Sequence, residues 1–265
     1  VRFSGDSGDG MQLAGNIFSN VSAGIGDEIS TFPDYPAEIR APQGTLGGVS
    51  GFQVHIGKGV HTPGDLADVL VAMNPAALKT NARYVKKGGV VIIDSDSFRA
   101  SDLEKAAFTT DDPIQEAGLS HAQIVPVAIT QMVKDSLADS GLDNKSIVRC
   151  KNMFALGLVC WLFDRPLEQA QHLLKNKFAK KPAIYEANAK VMRDGYNYGN
   201  NIHASVSTYR VESAQVKPGI YTDVNGNTAT AWGLIAASEK SGLPLFLGSY
   251  PITPATDILH ELAKR

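Results

Sequence analysis

The sequence has 265 residues, more than one domain usually holds, so it leaves room for one large domain or for one domain plus a second piece around a sizeable core. With 43% hydrophobic and 20% charged residues it is not a disordered chain, and a formal net charge of -2 removes the basic field that nucleic acid or an acidic membrane surface would require. Two cysteines, Cys150 and Cys160, exclude a disulfide framework and a four-cysteine iron–sulfur site built from this chain, and point to a reducing cytoplasm.

Residues 1–3 read as the tail of a strand that feeds the turn Ser4-Gly5-Asp6-Ser7-Gly8-Asp9-Gly10, after which Met11, Ala14, Ile17, Phe18 and Val21 recur at helical spacing. The stretch 31–51, rich in Gly and Pro, reads as a long loop of the kind that tends to carry function. Strands are predicted at 52–56, 68–73, 90–94 and 124–127, with helices at about 75–86 and 128–139. This alternation predicts an α/β fold with a mostly parallel sheet, helices on both faces and ligands at the carboxyl ends of strands. From Lys151 the pattern turns all-helical, with helices predicted at 152–163, 167–178 and 183–198. Residues 199–225 are polar and broken by Gly199, Pro218 and Gly219, so they read as an interdomain connection. A second domain is predicted from Gly226, with Asn227 or Thr228 capping a helix to Lys240, a short strand at 245–247, a double-proline turn at 250–254 and a helix at 256–264. No apolar run approaches the ~18 residues of a membrane span. The chain opens on Val1 without a Met and stops at Arg265 inside a helical pattern, so both ends are expected to be cut.

Chemistry is concentrated in a few places. The glycine turn has the spacing G-x-x-G-x-G, which allows close backbone approach ahead of a helix N-terminus, although Asp6 and Asp9 would repel a phosphate unless they face away or hold a cation or hydroxyl group. Arg40 suits a carboxylate or phosphate, and a surface pair with Glu38 or Asp34 fits the sequence equally. Asn74, ahead of Pro75, stands where such sheets place ligand contacts and also where a helix is capped. The six histidines lack metal-ligand spacing and no G-x-S-x-G elbow is present. Pro251 and Pro254 flank Thr253 closely enough to hold its hydroxyl rigidly at a strand end.

The string Tyr250-Pro251-Ile252-Thr253-Pro254, preceded by Gly226-Asn227-Thr228-Ala229 and Gly233, resembles the opening of the pyrimidine domain of 2-oxoacid:ferredoxin oxidoreductases. Upstream, the turn from Gly5 to Gly10 with Glu38-Ile39-Arg40 looks like the γ domain of the same family, and the departures at Ser7, Asp9, Ala41 and Pro42 resemble the type in which γ and α are fused, common among 2-oxoglutarate enzymes. The resemblance implies a Rossmann-like γ-type domain at 1–198, a linker at 199–225 and the first part of a thiamine-diphosphate pyrimidine-type α/β domain at 226–265. It implies oxidative decarboxylation of a 2-oxoacid, expected to be 2-oxoglutarate, to an acyl-coenzyme A, with electrons passing through an iron–sulfur cluster of a partner subunit to ferredoxin. Thiamine diphosphate and Mg²⁺ are then held mainly by a β subunit. The glutamate that activates the cofactor would lie beyond Arg265, so no catalytic residue is expected in this chain and the chain alone is expected to be inactive. By the same resemblance Thr253 would bind the substrate carboxylate with Tyr250 and Ile252 beside it, and Pro251 would touch the cofactor. Gly5, Asp6, Ser7, Gly8, Gly10 and Arg40 would serve coenzyme A. The alternative from another class is a non-catalytic module that binds coenzyme A or a nucleotide and assembles with other chains. A nicotinamide dehydrogenase is disfavoured by the glycine spacing and by the lack of an acidic residue ending a second strand.

Overall fold

The computed structural model describes residues 1–37, 41–202, 206, 208–214, 217 and 219–264, and the chain divides into two compact units, Val1–Val216 and Lys217–Arg265. No helix among the described residues is long and apolar enough to cross a membrane.

The first unit is built on six strands, β1 (Arg2–Asp6), β2 (Glu28–Asp34), β3 (Val49–Gly57), β4 (Ala67–Ala72), β5 (Val85–Asp94) and β6 (Gln123–Val127), in the spatial order β2-β3-β1-β4-β5-β6. Parallel pairing joins β1, β4, β5 and β6, whereas β3 runs antiparallel to both β1 and β2. The period-2 alternation of a strand shows directly in what it buries. Val69 and Val71 of β4 and Val90 and Ile92 of β5 join one core, while Leu70, Ala72, Val91 and Ile93 join a second core on the opposite face. The first core is covered by α1 (Met11–Gly24), and the second by α2 (Pro75–Asn81) and α3 (Ala100–Lys105). A short α4 (Pro113–Glu116) follows, and α5 (Ile129–Ser136), α6 (Asn144–Val148), α7 (Lys151–Leu162), α8 (Leu167–Lys177) and α9 (Pro182–Ile202) complete the unit.

The expected loop at 31–51 contains the end of a strand instead. β2 pairs only with β3, carries Pro33 and is half-buried along most of its length. An edge strand of that composition tolerates a proline and lacks the apolar alternation by which strands are recognised. β5 likewise begins at Val85, inside the stretch read as helix, because Lys86, Lys87 and Gly88 face solvent and contribute no apolar pattern. Helices α3, α4 and α6 are too short to show a period. Two of them are set by caps, Asp112 accepting from Ile114 N and Gln115 N, and Asp143 from Ser146 N. Beyond α9 the chain stays on the first unit, with Tyr209 stacked on Phe163 at 4.9 Å and Val206 and Ala214 buried, so much of 199–225 belongs to this unit.

The tightest packing is between α7 and α9. Every residue of α7 from Asn152 to Leu162 is buried, and the backbones approach so closely that a Cβ on Gly157 would lie 1.9 Å from the Met192 carbonyl oxygen, and one on Gly195 2.1 Å from that of Phe154.

The second unit holds α10 (Gly226–Ser241) and α11 (Thr256–Leu262). The cap of α10 is Asn225, whose side chain accepts from Thr228 N at 2.9 Å, two residues before Asn227 and three before Thr228, the expected caps. The stretch 245–247 forms no strand. A strand exists only through ladder bonds to a neighbour, and no strand occurs among the described residues of this unit.

Gly157→Ala is expected to reverse the usual helix preference. Ala gains ~1 kcal/mol over Gly in an open helix, but forcing a methyl between two backbones costs about 1–3 kcal/mol or more, so the urea midpoint should fall without a change in m.

Glu116 provides a pH test. Its carboxylate accepts from Lys79 Nζ at 3.0 Å, Thr109 N at 2.8 Å and Thr110 N at 2.9 Å. The Lys79 bond first, with the Thr109 and Thr110 bonds, outweighs the opposing desolvation and brings its pKa down from 4.5 to about 2. A depressed carboxylate pKa contributes stability that is present above 4.5 and lost as pH falls toward 2. Glu116→Gln should therefore show a smaller drop in melting temperature between pH 6 and pH 3 than the parent, measured by circular dichroism.

Candidate functional site

Because α1 packs on one face of the sheet and α2 on the other, the connections that follow the adjacent parallel strands β1 and β4 diverge. A crevice opens outside their carboxyl ends, the place where open α/β sheets take ligands. It is a cavity of about 690 Å³. One wall is the turn after β1, with Asp6, Ser7, Gly8 and Asp9, joined by Gln43 and Gly44. Asn74 and Pro75 at the end of β4, and Asp96, Ser97, Arg99 and Asp102 after β5, form the floor and one side. Asn144, Lys145, Val148, Arg149 and Lys151, from α6 and the start of α7, close the other side.

Of the residues expected in the turn, Asp6, Ser7 and Gly8 line this cavity, while Gly5 and Gly10 stand behind its wall. A Cβ on Gly5 would lie 2.9 Å from Asp9 Oδ2, and one on Gly10 would lie 2.2 Å from Asn152 Nδ2. Gly10 has φ 78° and caps α1 without a side-chain hydrogen bond, and its carbonyl accepts from Asn152 Nδ2 at 3.1 Å. Gly8, at φ 107°, has nothing within 4 Å of a built Cβ.

The two aspartates of the turn are engaged by their own chain. Asp9 Oδ2 accepts from Asp6 N at 2.9 Å and Asp9 Oδ1 pairs with Lys151 Nζ at 3.4 Å, both side chains being largely buried. Asp6 Oδ2 accepts from Gly44 N at 2.9 Å, and Oδ1 is buried beside the Asn74 side chain without a well-formed hydrogen bond. Burial, and then the Asp9 charge, push the Asp6 pKa up against the opposing Gly44 bond. Asn74 is the cap of α2, its Oδ1 accepting from Ala77 N at 2.8 Å, and the residue also lines the cavity.

Arg40, Glu38 and Ile39 lie outside the described residues. Asp34, one partner considered for Arg40, receives Arg2 Nη2 at 2.5 Å. Sequence reasoning passed over Arg99, Lys145, Arg149, Lys151 and Asn152. Two signals mark four of them: Lys145 and Arg149 are one helical turn apart after the cap Asp143, and Lys151-Asn152 opens a helix that is otherwise apolar, whereas nothing in the sequence marks Arg99.

In the second unit the turn expected at 250–254 is present. Asn227 Nδ2 donates to the Pro254 carbonyl at 3.0 Å and Thr256 N to that of Ile252 at 3.0 Å, and Tyr250, Pro251, Ile252 and Thr253 are all exposed. The Thr253 hydroxyl makes no hydrogen bond among the described residues.

Asp9→Ala removes an acceptor from Asp6 N and the partner of Lys151. It is expected to lower stability by about 2 kcal/mol, with Asp9→Asn, which keeps an acceptor, losing less; urea unfolding of the three proteins measures the order.

The family described as pyruvate ferredoxin/flavodoxin oxidoreductase matches residues 1–198. The 2-oxoglutarate oxidoreductase subunit KorA of Mycobacterium tuberculosis is 48% identical over 265 residues, all of this chain and 40% of that protein. The pyruvate/ketoisovalerate oxidoreductases common subunit gamma of Thermococcus kodakarensis is 26% identical over 200 residues, covering 74% of this chain and 95% of that one. Among solved structures, the 2-oxoglutarate:ferredoxin oxidoreductase from Magnetococcus marinus, with 2-oxoglutarate, coenzyme A and succinyl-CoA bound, superposes with a TM-score of 0.74 at 25% identity over 99% of this chain and 40% of that chain. The chain thus spans about 40% of the length of its KorA relative and of the Magnetococcus chain. With the family match extending over the whole sheet and its helices, this chain belongs to the pyruvate ferredoxin/flavodoxin oxidoreductase family.

Proposed function

We propose that the chain is the leading part of a subunit of a thiamine-diphosphate-dependent 2-oxoacid:ferredoxin oxidoreductase that converts 2-oxoglutarate and coenzyme A to succinyl-coenzyme A and CO₂ while reducing ferredoxin in the cytoplasm. The observation that carries this reading is the crevice at the carboxyl ends of β1 and β4, in a chain 99% of which superposes on an oxidoreductase solved with 2-oxoglutarate, coenzyme A and succinyl-CoA bound. On this reading Val1–Val216 is the γ-type unit that holds coenzyme A, as the likeness to a γ subunit over nearly that subunit's full length supports, and Lys217–Arg265 opens the pyrimidine-type domain.

The chain's own residues do not fit the metal centres of such an enzyme. No group of three or more His, Cys, Asp or Glu able to hold a metal ion occurs among the described residues. Both thiols are buried, which pushes Cys150 up to about 11 and Cys160 up to about 12, so neither offers a thiolate ligand near neutral pH. On this reading, as the family resemblance implies, the iron–sulfur cluster belongs to a partner subunit and the β subunit holds Mg²⁺ and most of the thiamine diphosphate. When bound, that cofactor supplies the electron sink for decarboxylation. This chain's part in the chemistry is orientation. The exposed, unbonded hydroxyl of Thr253, in a turn fixed by Asn227, Thr256 and two prolines, is free to donate to the 2-oxoacid carboxylate, and Tyr250, Pro251 and Ile252 offer exposed apolar surface beside it.

Assembly of the full-length subunit with its β partner should give reduction of a low-potential acceptor that requires both 2-oxoglutarate and coenzyme A, and the 265-residue chain alone should give none. Failure of the assembled enzyme to require coenzyme A would overturn the reading. Within that assay, losing a hydrogen bond to a charged carboxylate at a cost of ~2 kcal/mol predicts a drop of about thirtyfold in kcat/KM for 2-oxoglutarate in Thr253→Ala, with Thr253→Ser retaining most activity.

A further inference from the structure

We propose that Arg99, Lys145 and Arg149 form the anion-binding wall of the cavity and take the phosphorylated adenosine end of coenzyme A, while the glycine turn is braced from within at Gly5 and Gly10. This assignment rests on the reading of the chain as a coenzyme A-using subunit.

A glycine turn cradles a phosphate when its missing side chains leave room for the ligand. Here the chain fills that room itself at Gly5 and Gly10, and only the space over Gly8 stays open. The space over Gly5 holds the Asp9 carboxylate and the space over Gly10 holds the Asn152 amide, so the close approaches that require glycine at these positions are intramolecular. Asp9 acts as the turn's resident anion and neutralises Lys151.

Charge accounting in the cavity points the same way. Its acidic groups are Asp6, Asp9, Asp96 and Asp102, and its cations are Arg99, Lys145, Arg149 and Lys151. Asp6 is bound to Gly44 N, Asp9 to Asp6 N and Lys151, Asp96 to Gln131 N, and Asp102 lies 3.9 Å from Lys105. By contrast, none of the side chains of Arg99, Lys145 and Arg149 has an ion pair among the described residues. Lys145 and Arg149 lie one helical turn apart on the α6 side, and Arg99 comes from the β5 side of the same cavity. Unpaired cations contributed by two separate segments of the chain to one cavity suit a ligand end with several negative charges. The thiol end of coenzyme A carries no charge to meet them, whereas its diphosphate and 3′-phosphate do.

The test is calorimetry on the assembled enzyme with coenzyme A and with 3′-dephospho-coenzyme A. Lys145→Gln and Arg149→Gln should each weaken coenzyme A about tenfold or more and flatten the salt dependence of its binding, while Lys87→Gln, an exposed cation on β5 outside the cavity, should change neither. The parent should also prefer coenzyme A over the dephospho form, and that preference should shrink in at least one cavity variant. Unchanged affinity in both cavity variants, or an equal loss in Lys87→Gln, overturns the assignment alone. Absence of coenzyme A binding in the parent overturns it together with the functional reading.

Discussion

A helix that is apolar on every side must be covered on every side, and α7 imposes that condition on the whole first unit. It lies in the core that includes α1 and the sheet residues Phe3, Val69 and Val71, and α9 covers it closely. Glycines at 157 and 195 set the approach of the two backbones, and Gly199 does the same against the Trp161 ring. Once α7 is seated, its first residues have no freedom. Lys151 reaches Asp9 and Asn152 reaches the Gly10 carbonyl, so the packing of a helix on the sheet becomes the positioning of a turn at the sheet's carboxyl edge.

Buried charge is treated consistently around this frame. Arg2, in the central strand β1, is 4% exposed and gives its guanidinium hydrogens to Asn81, Gln53 and Asp34, with Tyr84 stacked 4.6 Å from it. Arg165, just beyond α7, pairs with Asp27 just before β2 at 2.6 Å, tying two elements far apart in the chain. A buried charge left alone would cost several kcal/mol, so each of these cations has its partner built in. Three cations lining the cavity follow another rule: Arg99, Lys145 and Arg149 are exposed and have no ion pair among the described residues, which costs nothing in water and leaves them available.

The parts of this protein that were legible in the sequence are those where burial imposes a period. Strands β4, β5 and β6 are buried on one or both faces and show apolar runs, α1 and α9 show apolar spacing and α7 is a continuous apolar run, so the α/β class and the helices that follow Lys151 could be read from residue order. Where burial is partial the period vanishes. β2 is half-buried with a proline and was invisible, and α3, α4 and α6 are shorter than two turns. The stretch at 245–247 has a strand's composition and no strand beside it among the described residues, which composition cannot reveal.

Local chemistry was settled by the sequence itself. The glycine turn after a strand, the Asn74-Pro75 helix start and the rigid Tyr250–Pro254 turn depend on backbone preferences acting over a few residues, and all three occur where the residues place them. Only the tertiary structure decided what each glycine makes room for and which charges remain free. Asp9 meets Lys151 across 142 positions of chain, and Asn152 meets Gly10 across the same span. Such contacts follow from how α7 seats on the sheet. No local rule encodes them, because side-chain clearance and charge pairing are properties of the packed whole.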